Sequence, residues 1–488
     1  MASSLRIIKN FLANHLWILS GVLLLSLTCC LVLLSKKFSP EIPISEQPVI
    51  LLVLLLVSSS IIYLIIVRRI STLKKSKKII AWTFAVGIIL RLLMISSTPI
   101  LEVDFNRYLW DGAVTANGLN PYKYSPYEIQ NTEKTPGEIP QDYLELARES
   151  NGILGKINHS DLKTVYPPVT QIAFALAHMI SPWDIIAWRF ILLAVDVITL
   201  FLLFKIFRQL NLSVFWLIIY WWNPLLIKEI FNSAHMDVLI FPFIIGAVLV
   251  HLRNKRFSAI VLLAFAVGVK LWPVLLLPFF LKNKLLKPKE LTLSIALFTM
   301  IVLALLAPVY LTGFDENSGF INYSERWQLN DAIFKLLVWG SQLGLGLFSI
   351  HPGFKFLTAR YIVVILMVAW MFYLVLRKQE SPKAFVDHCQ WTIAALFFLI
   401  PTQFPWYFLW LLPLLTVRPR FSLLLLTATL PLYYLRYFFD SRGMVDIFDF
   451  GIVWIEYIPI WIFLGREIYY STKKSPHFTT QFLTANEI

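Results

Sequence analysis

The sequence predicts an all-α polytopic membrane protein, and three observations carry that expectation. Of 488 residues, 58% are hydrophobic and 15% charged, with a mean hydropathy of +0.69, which is too apolar for a soluble globule of this length. Apolar runs of about 20 residues recur along the chain, the length a helix rising about 1.5 Å per residue needs to cross a hydrocarbon core about 30 Å thick. Lysines and arginines gather in the short connections between those runs, as the positive-inside tendency requires. The net charge of +14 is thereby a matter of topology, and nucleic acid is not an expected partner.

The first run, residues 16–35, follows Arg6 and Lys9 and has no small-x-small cleavage site after it, so it reads as a retained signal anchor. The second, near 48–67, leads into the strongest basic cluster, Arg68 and Arg69 with Lys74, Lys75, Lys77 and Lys78, which belongs in the cytoplasm with the amino terminus. A third run, near 79–96, then crosses outward and delivers residues 97–164, richer in acids than bases, to the other side. Further basic clusters at 205–208, 251–256, 282–289, 377–383, 417–420 and 473–474 mark later cytoplasmic returns.

Counting crossings between these clusters produces a conflict. Residues 251–256 and 282–289 flank one stretch of ordinary spanning length, and a single crossing cannot return to its own side. That stretch carries Lys270-Leu-Trp-Pro273 at its middle, so it reads as two half-helices turning at a lysine, unless one basic loop departs from the positive-inside tendency. The same problem arises between His388 and Arg418, around Pro401-Thr-Gln-Phe-Pro405-Trp406-Tyr407, and at 165–183, which opens Tyr166-Pro167-Pro168. Irregular backbone at membrane depth is tolerated only where protein or a water-filled cavity satisfies it. The expected architecture is therefore roughly ten to thirteen membrane helices, some broken or re-entrant, around an extracytoplasmic cavity.

Tryptophans (17) and tyrosines (19) suit interfacial belts. The three cysteines, two of them in the first run, imply neither a disulfide framework nor a cysteine metal site.

Chemistry-bearing residues begin in the first outer segment, Glu102-Val-Asp104-Phe-Asn-Arg107-Tyr108-Leu-Trp-Asp111-Gly112. On a helix Asp104, Tyr108 and Asp111 share a face with Arg107 beside them. A carboxylate held there is suited to act as general base toward a hydroxyl within hydrogen-bond reach, though a solvated amphipathic helix with an Asp–Arg pair has the same pattern. Ionisable residues within apolar runs carry more weight, because an unpaired one costs at least about 2.5 kcal/mol to insert. Arg189 and Asp196 lie seven apart in 183–207, where a buried ion pair also accounts for them. Lys270 reads as a buried cation or a snorkelling one. His235 and Asp237 follow Trp221-Trp222-Asn223-Pro224, Lys228, Glu229 and Asn232 at a turn between runs. An acid facing cations would suit a leaving phosphate, whose developing charge the cations stabilise. A second outer segment, 312–330, is placed to cover such a cavity or to be an ordinary polar loop. No phosphate-binding GxxxxGK[ST], dinucleotide fingerprint, GxSxG or HExxH motif occurs, which argues against a nucleotide-sugar donor.

Taken in order, Asp104-x-x-Arg-Tyr108-x-Trp-Asp111-Gly112, Gly118-x-Asn-Pro121-Tyr122, Tyr166-Pro-Pro168, Asn223-Pro224 with Glu229 and His235-x-Asp237, Lys270-x-x-Pro273 and Pro405-Trp406-Tyr407 resemble the GT-C superfamily of polyprenyl-phosphate-sugar-dependent glycosyltransferases. The likeness is nearest to bacterial α-mannosyltransferase-like members and more distant to the first mannosyltransferase of GPI-anchor synthesis. It runs from about 79 to about 415. The resemblance implies a hexose, often mannose, passed with inversion from a lipid phosphate to an acceptor hydroxyl of a glycan or lipid-linked saccharide. Asp104 matches the family's acid, with Glu102 as its neighbour; Lys270, Arg189 and His235 are candidates for the donor phosphate. Arg107, Tyr108, Asp111, Tyr166, Asp237, Trp406 and Tyr407 are candidates for substrate contacts. The family motif often has two acids at this point, whereas Asp104 is followed by Phe105, which leaves a divalent metal open. The implied location is a bacterial plasma membrane, or endoplasmic reticulum in a eukaryote. Residues 1–78 read as a two-span extension, 79–311 as the glycosyltransferase module with outer loop 97–164, and 312–488 as a carboxy-terminal membrane module with outer loop 312–330. A lipid-linked-saccharide flippase or transporter is the rival reading, since buried charges and broken helices are expected there too.

Overall fold

The computed structural model describes residues 2–73, 76–131, 139–282, 287–349 and 351–473. Lys74, Lys75 and Lys474, residues 283–286 of another basic cluster and residues 132–138 of the first outer segment lie outside the described residues. The described chain is a succession of helices, with one isolated parallel bridge between Leu329 and Thr402.

Eight helices are long and apolar enough to cross a membrane, nine if the bent pair Val214–Trp221 and Pro224–Asn232 is one span; the chain is a multi-pass membrane protein. The first three, His15–Phe38, Val49–Arg69 and Lys77–Ile95, fall where hydropathy predicts them. The broken members of the expected ten to thirteen membrane helices are shorter. Helices Pro168–Ile180, Met236–His251, Arg256–Val269, Trp272–Leu281 and Ile333–Leu347 are apolar but only 10–17 residues long, so none alone matches a core about 30 Å thick. Apolarity without length is what broken helices look like in a hydropathy profile.

The breaks fall at the residues that cannot continue a helix. Asn223 caps the Leu226 amide at 3.0 Å and Pro224 starts the next helix, giving a 43° bend; the following turn, Ile227–Asn232, is a wide π turn. Helix Arg256–Val269 stops at Lys270, whose backbone is extended, and the short helical turns Trp272–Leu276 and Leu277–Leu281 pack back against it. Thr170 donates its hydroxyl to the Val269 carbonyl left over at that helix end (3.0 Å). Helix Pro382–Leu399 likewise ends before Pro401.

Contacts divide the chain into two compact units, each discontinuous in sequence: Met1–Leu101 with Phe207–Asn232 and Phe404–Ile488, and Glu102–Ile206 with Ser233–Gln403. The compositional divisions at 78 and 311 both fall inside these units. In the first unit, polar atoms within the spans find partners: Trp17 Nε1 donates to Thr83 (3.0 Å), Tyr63 to the Ile219 carbonyl (2.8 Å), and Arg91 to the carbonyls of Gly87 (2.9 Å) and Trp221 (2.7 Å). Gly87 is required there, since a Cβ would lie 2.0 Å from the Trp221 ring.

In the second unit, helix Phe105–Ala116 crosses helix Pro168–Ile180 so closely that a Cβ on Gly112 would lie 2.5 Å from the Phe174 carbonyl oxygen. The rest of the first outer segment folds over the first of these helices, burying Trp110, Val114, Ile129, Tyr143, Leu146 and Ile157 in one cluster. A capping box between Ser125 and Glu128 starts one of its short helices. The second outer segment docks onto the first. Lys163 pairs with Asp315, its amide donates to the Asn317 carbonyl (2.8 Å), Asn120 donates to Thr312 (2.8 Å), and the His159 and Trp327 rings meet at 4.5 Å.

Candidate active site

The site lies in the second unit and is built where helical structure breaks. Just before that unit begins, Leu101 has a left-handed backbone (φ +62°), a conformation unfavourable for a bulky side chain, and the chain then runs through buried Glu102 to Asp104. Asp104 stands at the start of helix Phe105–Ala116 without its carboxylate capping that helix. The carboxylate is thus left for other work, and 32% of the side chain is accessible.

Opposite it is the turn Ser233-Ala234-His235, where Ala234 is again left-handed (φ +61°). His235 is fully buried, its Nδ1 4.0 Å from Asp104 Oδ2. Two residues on, Asp237 accepts a hydrogen bond of 2.6 Å from Lys270 Nζ, which comes from the break after helix Arg256–Val269. Burial pushes the Asp104 carboxyl up to about 6; the Arg107 charge pulls it down, Asp237 pushes it up and Lys270 pulls it down. The packed surroundings outweigh the one open side of the group. A carboxylate so raised is better matched to take a proton near neutrality than one at its ordinary value.

One turn along the helix, buried Arg107 donates through Nη2 to the carbonyls of His159 (3.1 Å) and Leu162 (2.9 Å). Asp111 accepts from the Thr164 hydroxyl and from Gln171 Nε2 at 3.1 Å. Burial raises its carboxyl, with Arg107, Thr164 and Gln171 working against the rise. Tyr108 and Tyr166 meet edge-on at 5.1 Å between ring centroids, and burial, with the Asp104 charge nearby, raises both phenol groups.

Eight of the residues singled out by sequence therefore form one neighbourhood: Asp104, Arg107, Tyr108, Asp111, Tyr166, His235, Asp237 and Lys270. Arg189 and Asp196 are both buried on helix Ile185–Gln209. Trp406 and Tyr407 belong to the other unit, in an aromatic cluster with Phe404, Trp410 and Tyr433. Among the described residues, no three His, Cys, Asp or Glu side chains are gathered as a metal ion would need. Sequence reading missed Thr164, Gln171 and Trp188. A glutamine inside an otherwise apolar helix was a usable signal for the second; one tryptophan among seventeen was none for the third.

A family model described as alpha-(1→6)-mannopyranosyltransferase, N-terminal domain, matches residues 33–283, a little more than half of the chain. The match takes in Asp104, His235, Asp237 and Lys270, and it begins within the segment 1–78 that reads as an extension preceding the resemblance. No curated protein matches the chain, and no solved structure does.

Proposed function

Since the chain belongs to the alpha-(1→6)-mannopyranosyltransferase family and is a glycosyltransferase of the membrane, we propose that it takes mannose from a polyprenyl-phosphate carrier on the extracytoplasmic face of a plasma membrane and passes it to a saccharide hydroxyl with inversion. Asp104 is the general base. As the acceptor oxygen bonds to the anomeric carbon, its proton moves to the Asp104 carboxylate, and the bond from that carbon to the phosphate oxygen breaks on the opposite face. The polyprenyl phosphate leaves with the electron pair. Lys270, its ammonium directed by Asp237, and His235 stabilise the charge that grows on the phosphate. Arg107 and Asp111 act by holding 159–164 beside the carboxylate, and Tyr108 and Tyr166 line the place of the reacting sugar.

The observation that supports this reading best is the convergence of a raised, partly open carboxylate with an imidazole and an ammonium from three separate chain breaks. Each is costly to hold in an apolar bundle without a use. The test is purified protein with radiolabelled polyprenyl-phospho-mannose and a saccharide acceptor. Wild type is expected to consume the donor and label the acceptor, and Asp104→Asn to do so at least about a hundredfold more slowly. Lipid that crosses the bilayer without being consumed would make the protein a flippase, and an Asp104→Asn variant as fast as wild type would remove this carboxylate from the chemistry.

A further inference from the structure

The turn that carries His235 is tied to a neighbouring helix through the Ala234 carbonyl. Ala234 holds a left-handed backbone (φ +61°), which a residue with a Cβ adopts only when its surroundings compel it. Its carbonyl accepts a hydrogen bond of 2.8 Å from Trp188 Nε1. Ser233, Ala234, His235 and Trp188 are all buried, so that carbonyl has no access to bulk solvent as an alternative partner.

The same indole touches the other half of the site. It packs edge-on against Tyr108 (5.9 Å between ring centroids, 66°) and against Phe174 (5.1 Å, 70°), and those two rings stack on each other at 4.7 Å. Tyr108 lies one turn beyond Asp104 on the Asp104 helix. Trp188 thus bears on the helix that presents the carboxylate through its ring, and on the turn that presents the imidazole through its N–H. It stands on helix Ile185–Gln209, an element independent of both.

We propose that Trp188 is a positioning residue that sets the separation of Asp104 and His235 by holding Ala234 in its left-handed turn. The proposal rests on the mannosyl-transfer reading above. Trp188→Phe keeps a ring against Tyr108 and Phe174 and deletes only the donor. Released, Ala234 relaxes toward an ordinary backbone and swings His235 off its line to the carboxylate. Misplacement on the scale of 1 Å costs about a hundredfold in rate, so kcat should fall roughly ten- to a hundredfold, with the KM values for donor and acceptor kept within about twofold because the phenylalanine still fills the space.

A second variant separates tethering from packing. Glycine takes the left-handed conformation without penalty, so Trp188→Phe with Ala234→Gly should recover most of the lost kcat, whereas a pure packing defect would not respond to a change at 234. Both variants and wild type are compared by steady-state kinetics with polyprenyl-phospho-mannose and by thermal melting in detergent. Recovery in the double variant supports the tether, including the case where Trp188→Phe alone melts early and the glycine restores it. Unchanged kcat in Trp188→Phe overturns the proposal, as does a loss that the glycine leaves in place. A wild type that transfers no mannose defeats the proposed function itself, before any variant is compared.

Discussion

Lys270 and Lys228 are both lysines set in apolar sequence, each beside a carboxylate, and the structure treats them differently. Lys228 lies on the π turn that ends the bent pair in the first unit. Its Nζ is 3.5 Å from Glu229 Oε1, with both side chains inaccessible; it bonds the Tyr434 hydroxyl, and that hydroxyl donates to Glu229 at 2.6 Å. The ammonium also sits 3.8 Å from the Tyr434 ring centre. Lysine, phenol and carboxylate form a triangle closed to solvent. Lys270 pairs tightly with Asp237, keeps 17% of its side chain accessible, and shares its surroundings with a carboxylate, Asp104, that is one-third open. Closure makes the first group a structural fastening, and opening gives the second something to act on.

Exchanging the lysines for methionine should separate these roles most sharply. Lys228→Met removes the cation 3.5 Å from the buried Glu229 carboxylate, and removing one partner of a buried pair costs about 3–5 kcal/mol. The variant is expected to melt earlier and yield less protein, while whatever folds keeps its kcat. Lys270→Met is expected to fold and to lose about a hundred- to a thousandfold in kcat, the usual effect of deleting a group that stabilises transition-state charge. Melting curves and turnover on the same preparations check both; a Lys270→Met enzyme with intact kcat but a low melting temperature would erase the contrast.

That contrast also shows what could be read from sequence. Hydropathy marked the spans, and prolines at 224, 273 and 405 marked the breaks, because a missing N–H acts locally whatever surrounds it. Lys270 was legible as an expensive residue in apolar company, and Asp104 and His235 as ionisable residues of the outer segment and of a turn between runs. The distinction between Lys228 and Lys270 was not, since closure depends on Tyr434, 206 positions away in the chain, and no local rule connects them. Trp188 was invisible for the same reason: its function is one hydrogen bond to a carbonyl at 234.

The open carboxylate of the site invites a test by pH. Asp104 as base must be ionised, and its carboxyl is pushed up to about 6 by burial. Above that value it is charged and competent; below it, protonation should remove activity by about tenfold per pH unit. A profile of kcat/KM in the free enzyme is expected to show its acid limb near 6, with Asp104→Asn lacking that limb in its residual rate. Finding the limb instead at the ordinary value of a carboxyl would mean that the packed side of the group matters less than its open side, and would bring Asp104 closer to an ordinary surface acid.

The smallest effect belongs to the outermost charge pair, Lys163 with Asp315, which joins the two outer segments. Asp315 is 54% accessible, so water and salt weaken the attraction, and such pairs are worth about 0–1 kcal/mol. Lys163→Ala should shift the melting temperature only slightly at low salt and not at all at high salt, where the Debye length has shrunk to about 3 Å at about 1 M. The backbone bond from residue 163 to the Asn317 carbonyl and the Asn120–Thr312 contact survive the change, and they hold the segments together without charge. A large, salt-independent loss would mean that this exposed pair behaves like the closed triangle at Lys228, and accessibility would no longer separate fastenings from working groups in this protein.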